Sequence, residues 1–373
     1  MVSMLADIVY EGARGVLGPF LGSLGASAAQ VGLITGVGEA TALGVRLFTG
    51  PLADRTRRWW VLAIGGYALT VIAVPSLAFV GGLGLAATLV IAERLGKAIR
   101  TPSRDIMLAQ AGTSIGRGWA FALHEAADQL GAFAGPLLVA GALYESGYRL
   151  GFGMLAVPGA LALLLLFWLR AKVPNPELYE HEQPGPKPDG SGRLGGAFWS
   201  YAAFSGLVML GFSTFAVVGY HLSHEHLIAV ALVPVVYATA MAADAVSALV
   251  SGRRYDRVGI RTLVWLPVLA AIVPWLAFQN VAWVAWMGAL VWGAALGLQE
   301  ATLRAAVADL VPRDRRGTAY GIFTAIYGGA WLGGSTVTGL LYEHSRVLLS
   351  VVVTGVQLVA LAVLLLVVLP RHD

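Results

Sequence analysis

GPLADRTRRW, residues 50–59, and SGRRYDRVGIR, residues 251–261, are polar islands in a chain that is otherwise oily. Each sets a glycine four residues before an Asp-Arg pair and follows it with more basic residues. The first copy has Gly50, Asp54, Arg55 and Arg58, the second Gly252, Asp256, Arg257 and Arg261. Outward from them the chain runs in apolar segments of roughly 20 residues, each long enough to cross a hydrocarbon core of about 30 Å. Twelve such segments are expected, near residues 3–22, 29–51, 60–80, 83–108, 117–140, 149–170, 197–220, 227–251, 262–279, 281–305, 317–341 and 347–369. Gly18-Pro19, Gly135-Pro136, Pro234 and Pro267 fall inside these spans, where neighbouring helices can satisfy the freed backbone groups.

The composition agrees, with 57% hydrophobic residues against 12% charged in 373. The first apolar run is broken by acids and lacks a basic leader, so it is expected to stay as a helix and not to be cleaved as a signal peptide. With no cysteine, disulfides, thiol catalysis and thiolate metal sites are excluded. The net charge of +4 does not point to nucleic acid, because the basic residues collect in alternate loops while the opposite loops hold little beyond Arg149 and Arg346. The positive-inside rule then puts both termini and the 172–196 segment in the cytoplasm of a protein of the plasma (cell inner) membrane.

That segment, KVPNPELYEHEQPGPKPDGSGRLGG, is the one long polar stretch and reads as a linker. It divides the spans six and six, giving bundles over 1–171 and 197–373. Four matches relate them in order. Gly50-x3-Asp54-Arg55 recurs as Gly252-x3-Asp256-Arg257, and Arg104 as Arg304. Arg117-Gly118-x-Ala120-Phe121 recurs as Arg316-Gly317-x-Ala319-Tyr320, and Gly141-x-Leu143-Tyr144-Glu145 as Gly339-x-Leu341-Tyr342-Glu343. The offset drifts only from 202 to 198, so the chain is an internal duplication whose copies lie parallel, with a ligand cavity expected between them.

The first loop resembles the signature of the major facilitator superfamily, and the second resembles the degenerate copy that family also shows. The resemblance covers all twelve spans and implies an all-α membrane fold of two six-helix repeats. It implies a cytoplasmic gate in which Asp54 lies opposite the start of span eleven near Gly317, with Arg55, Arg58 and the second-copy residues as partners. There, the free N–H groups of the helix would favour a carboxylate. Arg57 stands where the family usually has glycine, so this turn is expected to do without glycine's positive φ; the second copy keeps the glycine as Gly259. Gly131-x3-Gly135-Pro136 is similar to the glycine-rich motif of the superfamily's drug/proton antiporters, with Leu138 and Val139 in place of the later glycine pair. Aligned on Pro102, span four has Val90 where those antiporters usually carry Arg, and Arg94 sits one turn further on.

Charge inside the spans follows a period of three. Spans three, six, nine and twelve are clean, as helices facing lipid must be, since a charge there costs several kcal/mol (~3 or more). Span one carries Asp7, Glu11 and Arg14; span two Glu39 and Arg46; span four Glu93, Arg94, Lys97, Arg100 and Arg104. Span five carries His124, Glu125 and Asp128, while Asp244 lies in span eight and Glu300 and Arg304 in span ten. Each is equally readable as half of a structural pair. Acids predominate near mid-membrane, and an acid there without a cation is suited to taking up a proton. Glu39, Glu125 and Asp128 are the first candidates for proton coupling, followed by Glu11 and His124. For Glu11, a pair with Arg14 is the favoured reading.

Span seven is free of charge, and span eleven sets Tyr320, Phe323, Tyr327 and Trp331 at helical spacing, as packing or as a surface for an amphipathic or cationic ligand. His221, His224 and His226 could form a metal set, but a solvated external loop is the expected reading, and no metal site or cofactor is expected. No GxxxxGK[ST] loop occurs, so ion-gradient coupling is the default.

The expected function is proton-coupled export of a small organic or amphipathic solute by alternating access, performed by a monomer. The cavity candidates are Asp7, Arg14, Glu93, Arg94, Lys97, Arg100, Asp244, Tyr327 and Trp331. The alternative is uptake of an anionic metabolite clamped by Arg94, Lys97 and Arg100. A non-transporting receptor would need a soluble domain that the loops do not hold, and no nucleophile-base-metal set supports an enzyme.

Overall fold

The computed structural model describes residues 1–111, 117–176, 194–311 and 316–371. The side chains of Asp54, Ala109, Ala111, residues 117–122, Arg304, Ala308, residues 316–317 and Arg371 lie outside that description, as do residues 177–193 of the predicted linker.

The described residues are helical throughout, with no strand among them. In chain order the helices are α1 Val2–Arg14, α2 Leu17–Ser23, α3 Ala28–Gly44, α4 Arg46–Thr56, α5 Trp59–Ser76, α6 Leu83–Ala111, α7 Arg117–Gly153 and α8 Ala156–Lys172. The second half holds α9 Gly196–Leu210, α10 Phe215–His224, α11 Val233–Val258, α12 Trp265–Ala277, α13 Ala282–Leu310, α14 Arg316–His344 and α15 Arg346–Val363. These fall on the predicted segments, three of which are broken in two.

The breaks have local causes. Pro19 has no N–H for the carbonyl of Gly15, and the chain parts there between α1 and α2. Between α9 and α10 the carbonyl of Ser213 leaves the helical ladder, and the indole N–H of Trp292 donates to it at 2.8 Å. At the start of α3, Ser27 and Gln30 form a reciprocal capping box.

Seven stretches among the described residues are long and apolar enough to cross a membrane. Two of them, Leu123–Lys172 and Val230–Ala277, are long enough for two crossings each, and turns at Ser146-Gly147 and Gly259–Val264 divide them. The helices left out are the informative ones: α1 and α6 carry clusters of charge, and glycines dilute α14.

The two halves repeat their packing partnerships. α1 packs on α7 as α9 packs on α14, α3 on α6 as α11 on α13, α5 on α6 as α12 on α13, and α5 on α8 as α12 on α15. The charge-free helices show apolar side chains outward, among them Ile72, Leu164, Trp275 and Leu358. That matches the lipid-facing role read from the charge census.

The halves meet along a seam of small residues. A side chain at Gly18 would strike the backbone of Ala216, at Gly32 that of Ser335, and at Gly339 that of Ala28, so bare backbone is what lets these helices touch. Thr35 and Thr214 hydrogen-bond across the seam at 3.0 Å, and Glu343 accepts from the N–H of Ala29 at 2.8 Å. All of these contacts lie toward the end that bears loops 24–27 and 225–229.

Candidate functional site

Between that seam and the end bearing residues 54–58, the halves enclose two adjoining lobes of about 390 and 400 Å³. Both are lined from α1, α4, α6 and α13, and they share Arg14, Arg46, Lys97 and Glu300. The first lobe adds Tyr10, Glu39 and Gln299, with Tyr320, Phe323, Tyr327 and Trp331 from one face of α14. The second adds Asp7, Glu11, Arg104, Asp105, Glu125, Asp128, Gln129 and Asp244. One lobe is aromatic and the other acidic.

Helical spacing explains the convergence. Asp7, Glu11 and Arg14 at i, i+4 and i+7 share one face of α1, and α1 is held against α7 by Gly131 and Gly135, where a Cβ would strike the backbone of Met4 or Ile8. The glycine motif is thus a close-packing device between spans one and five. It sets Asp7 and Asp128 as neighbouring carboxyl groups on one wall of the acidic lobe. Asp128 also lies 3.3 Å from His124 Nε2 and 3.7 Å from Arg104, and Asp7 lies 3.8 Å from Arg100.

Toward the first lobe a chain of ion pairs runs through α1, α3 and α6. Arg14 lies 3.6 Å from Glu11 and 3.2 Å from Glu39; Arg94 lies 3.3 Å from Glu39 and 3.5 Å from Glu93. The favoured Arg14–Glu11 pair is present. The expectation that Glu39 lacks a cation is overturned, because α6 brings Arg94 up to it from one side while Arg14 reaches it from the other. Tyr10 forms the floor of this cluster, with Arg14, Arg94 and Lys97 5.8, 4.5 and 3.7 Å from its ring centre.

The clamp predicted from Arg94, Lys97 and Arg100 is split, since each position steps about 60° further around α6 and the three side chains diverge over that arc. Lys97 faces both lobes, whereas Arg94 and Glu93 face a small separate void and Arg100 lies over the ring of Tyr67. His124 lines a different, apolar groove beside α1, α5 and α8, and Arg104 faces both that groove and the acidic lobe.

Three contributors escaped the sequence reading. Tyr237 of α11 donates to Glu11 at 2.5 Å across the halves, and its spacing of seven from Asp244 was the available signal. Tyr10 is four residues before Arg14, and Gln299 adjoins Glu300. Asp244 is buried on α11 and has Glu300, Glu11 and Glu125 as charged neighbours.

At the predicted gate, Gly50 lies in α4 and Gly252 in α11, and Arg55, Arg58, Asp256 and Arg257 are exposed with no ion pair to one another. The Asp54 and Arg304 side chains lie outside the described residues, and Gly317 lies in the first turn of α14. Arg57 corrects the turn expectation: it takes positive φ itself, at 50°, as the C-cap of α4. The histidine set does not form either. His221 is fully buried, with Tyr342 at 2.8 Å and the carbonyl of Gln279 at 3.0 Å, so it is a packing residue and not part of a solvated loop.

Comparison with known proteins gives three kinds of match. The family model described as Major Facilitator Superfamily matches residues 1–273 and again 201–373. Uncharacterized proteins of Mycobacterium tuberculosis and Mycobacterium bovis are each 50% identical over 379 residues, covering 100% of this chain and 92% of theirs. Among solved structures, a peptide transporter in complex with sulfate is similar with a TM-score of 0.77 at 16% identity, covering 100% of this chain and 93% of that one. The nucleoside transporter NupG is similar with a TM-score of 0.73 at 14% identity (96% and 95% covered), and a D-xylose-proton symporter with 0.69 at 14% (97% and 95%).

Proposed function

Because the chain belongs to the Major Facilitator Superfamily and is a multi-pass membrane protein with the fold of secondary transporters, we propose that it couples export of a small organic or amphipathic solute to proton entry. The working units are the bundles 1–171 and 197–373, joined by the 172–196 linker and rocking about the two lobes. With both termini in the cytoplasm, as the basic loops favour, the glycine seam closes the outer end and the lobes open inward. Export draws on the likeness of Gly131-x3-Gly135-Pro136 to the antiporter motif. The protein acts as a monomer in the cell inner membrane.

The observation that carries proton coupling is the carboxyl pair Asp7–Asp128. Two neighbouring carboxylates repel as anions, and one proton taken up by the pair relieves that repulsion. Arg100 faces Asp7, and Arg104, His124 and Glu125 stand near Asp128, all within the first bundle, while Asp244 and Glu300 of the second line the same lobe, so rocking of the bundles changes which acids face the pair and with them its favoured state. Glu11, Glu39 and Glu125 are secondary coupling candidates. The gate at Asp54 supplies the inner closure.

The test is flux in proteoliposomes with an internal pH dye and a panel of organic solutes. Wild type should move protons in response to a solute, and Asp128→Asn should reduce gradient-driven accumulation to that of empty vesicles while solute exchange persists. Coupling that survives in both Asp7→Asn and Asp128→Asn removes the pair from the mechanism.

A further inference from the structure

The two lobes differ in what the fold leaves unsatisfied. In the aromatic lobe three cations, Arg14, Arg46 and Lys97, meet two carboxylates, Glu39 and Glu300, whereas acids outnumber cations in the other lobe. Glu39 is already engaged by Arg14 and Arg94. Lys97 reaches the ring of Tyr10 at 3.7 Å, and no carboxylate of a described residue comes within salt-bridge distance of its ammonium. Asp7, Glu39 and Glu93 act on it only from beyond contact, so this ammonium on the cavity wall gains from an anion that joins it.

Two neutral groups on the same wall are also incomplete. Gln299 is 1% exposed, and neither its amide oxygen nor its amide nitrogen has a partner. Trp331 is 5% exposed with its indole N–H unpartnered. Leaving a buried polar group without a partner is unfavourable, and a wall residue of a cavity can recover the lost bond from a ligand. Between them Tyr327 stands edge-on to Trp331, with ring centres 5.6 Å apart, and Phe323 follows at 5.8 Å from Tyr327. The lobe therefore offers an aromatic wall, a positive charge and a hydrogen-bonding rim.

We propose that the transported solute is an aromatic carboxylate or a similar planar organic anion. It binds in this lobe with its anionic group at Lys97, its ring against Tyr327 and Trp331, and its polar edge at Gln299. The proposal rests on the reading of the lobes as the transport path. The acidic lobe, which would repel such a solute, is left to the proton. An anion without a ring is disfavoured, because it would leave the Tyr327 and Trp331 wall of the lobe without contact.

The test is equilibrium binding of three probes with one ring system, naphthoate, naphthamide and naphthylmethylamine, to the purified full chain in detergent. Naphthoate should bind about 30-fold tighter than the other two, as expected when one member of a buried charge pair is removed. Lys97→Gln should bring naphthoate and naphthamide to equal affinity, and Lys97→Arg should keep the preference, which separates charge from misfolding. Trp331→Phe and Gln299→Leu should weaken naphthoate and naphthamide alike. Tightest binding of the amine, a naphthoate preference that survives in Lys97→Gln, or no saturable binding of any probe overturns the proposal. If it falls while pH-driven flux of another solute persists, the transport reading stands. If the anion preference holds but no solute moves protons, the coupling reading falls alone.

Discussion

The amino-terminal helices and their carboxy-terminal counterparts pack by the same scheme and carry opposite chemistry. In the first half, α1, α3, α6 and α7 hold a connected charge network, with Glu39 between Arg14 and Arg94 and the rings of Tyr10 and Tyr67 beneath the cations. In the second, the equivalent interior is ring on ring: Tyr201 against Phe323, Phe212 against Trp292 and Trp331, and Phe215 against Tyr237. Duplicated packing thus constrains backbone contacts and leaves the cavity-facing side chains free to diverge. Buried cations need partners on other helices, which ties the first half into one cluster, whereas rings are satisfied by contact alone. A solute placed between the two meets charge on one side and apolar surface on the other.

The largest break in this comparison lies where the halves touch. Gly32→Val puts two methyl groups into the backbone of α14 at Ser335, where nothing flexible can yield. Overpacking of this kind costs about 1–3 kcal/mol, and here it acts only on the state with the seam closed. The population with the outer end open should rise by about ten-fold or more. As the chain has no cysteine, Thr35→Cys provides a clean reporter beside the seam. Labelling from the side of loop 24–27 by an impermeant maleimide should increase by that factor in the Gly32→Val background; unchanged labelling would show that the seam is not what closes this end.

An effect of similar size on stability, without a change in which end is open, is expected at the bond that joins the two chemistries. Tyr237, inside the ring cluster of the second half, donates to Glu11 in the charge network of the first. Tyr237→Phe keeps the contacts with Phe215 and Trp292 and removes only the hydroxyl. A hydrogen bond to a charged group contributes about 1.5–3 kcal/mol, so the thermal midpoint in detergent should drop by a few degrees. A double-mutant cycle with Glu11→Gln should show the two losses to be non-additive; full additivity would mean the halves are not linked through this bond.

The sequence disclosed the scaffold more fully than the site. Apolar segment length, the twin Gly-x3-Asp-Arg loops and the period-three absence of charge depend on periodicity and bilayer thickness alone, and α5, α8, α12 and α15 face outward as those signals require. Partnership was harder to read, because whether Glu39 is paired depends on how α6 is rotated against α3, and no local pattern encodes that rotation. Lys97 and Arg94 differ by less than one turn, yet only Lys97 reaches the lobes. His221 misled for the same reason: its sequence neighbours are polar, while its spatial neighbours, Phe278 and Tyr342, come from other helices.

The smallest expected effect concerns the twin loops from which the duplication was read. Arg57 closes α4 with φ 50° and ψ 20°, in the left-handed region, while Gly259 closes α11 with φ 60° and ψ −143°, a combination open to glycine alone. The copies have therefore kept positive φ but not the same turn. In the first, a side chain is tolerated at a cost of about 1–2 kcal/mol, and glycine relieves that strain while giving back about 0.5–1 kcal/mol in unfolded-state entropy. Arg57 is exposed, and a surface ion pair of its side chain contributes at most about 1 kcal/mol. Arg57→Gly should therefore raise stability by about 0.5 kcal/mol, seen as a thermal midpoint higher by roughly one degree, whereas Gly259→Ala should lower it, since no L side chain fits that ψ without moving the start of the next turn. A fall in both variants would mean that the Arg57 side chain holds the first loop by contacts stronger than its backbone strain.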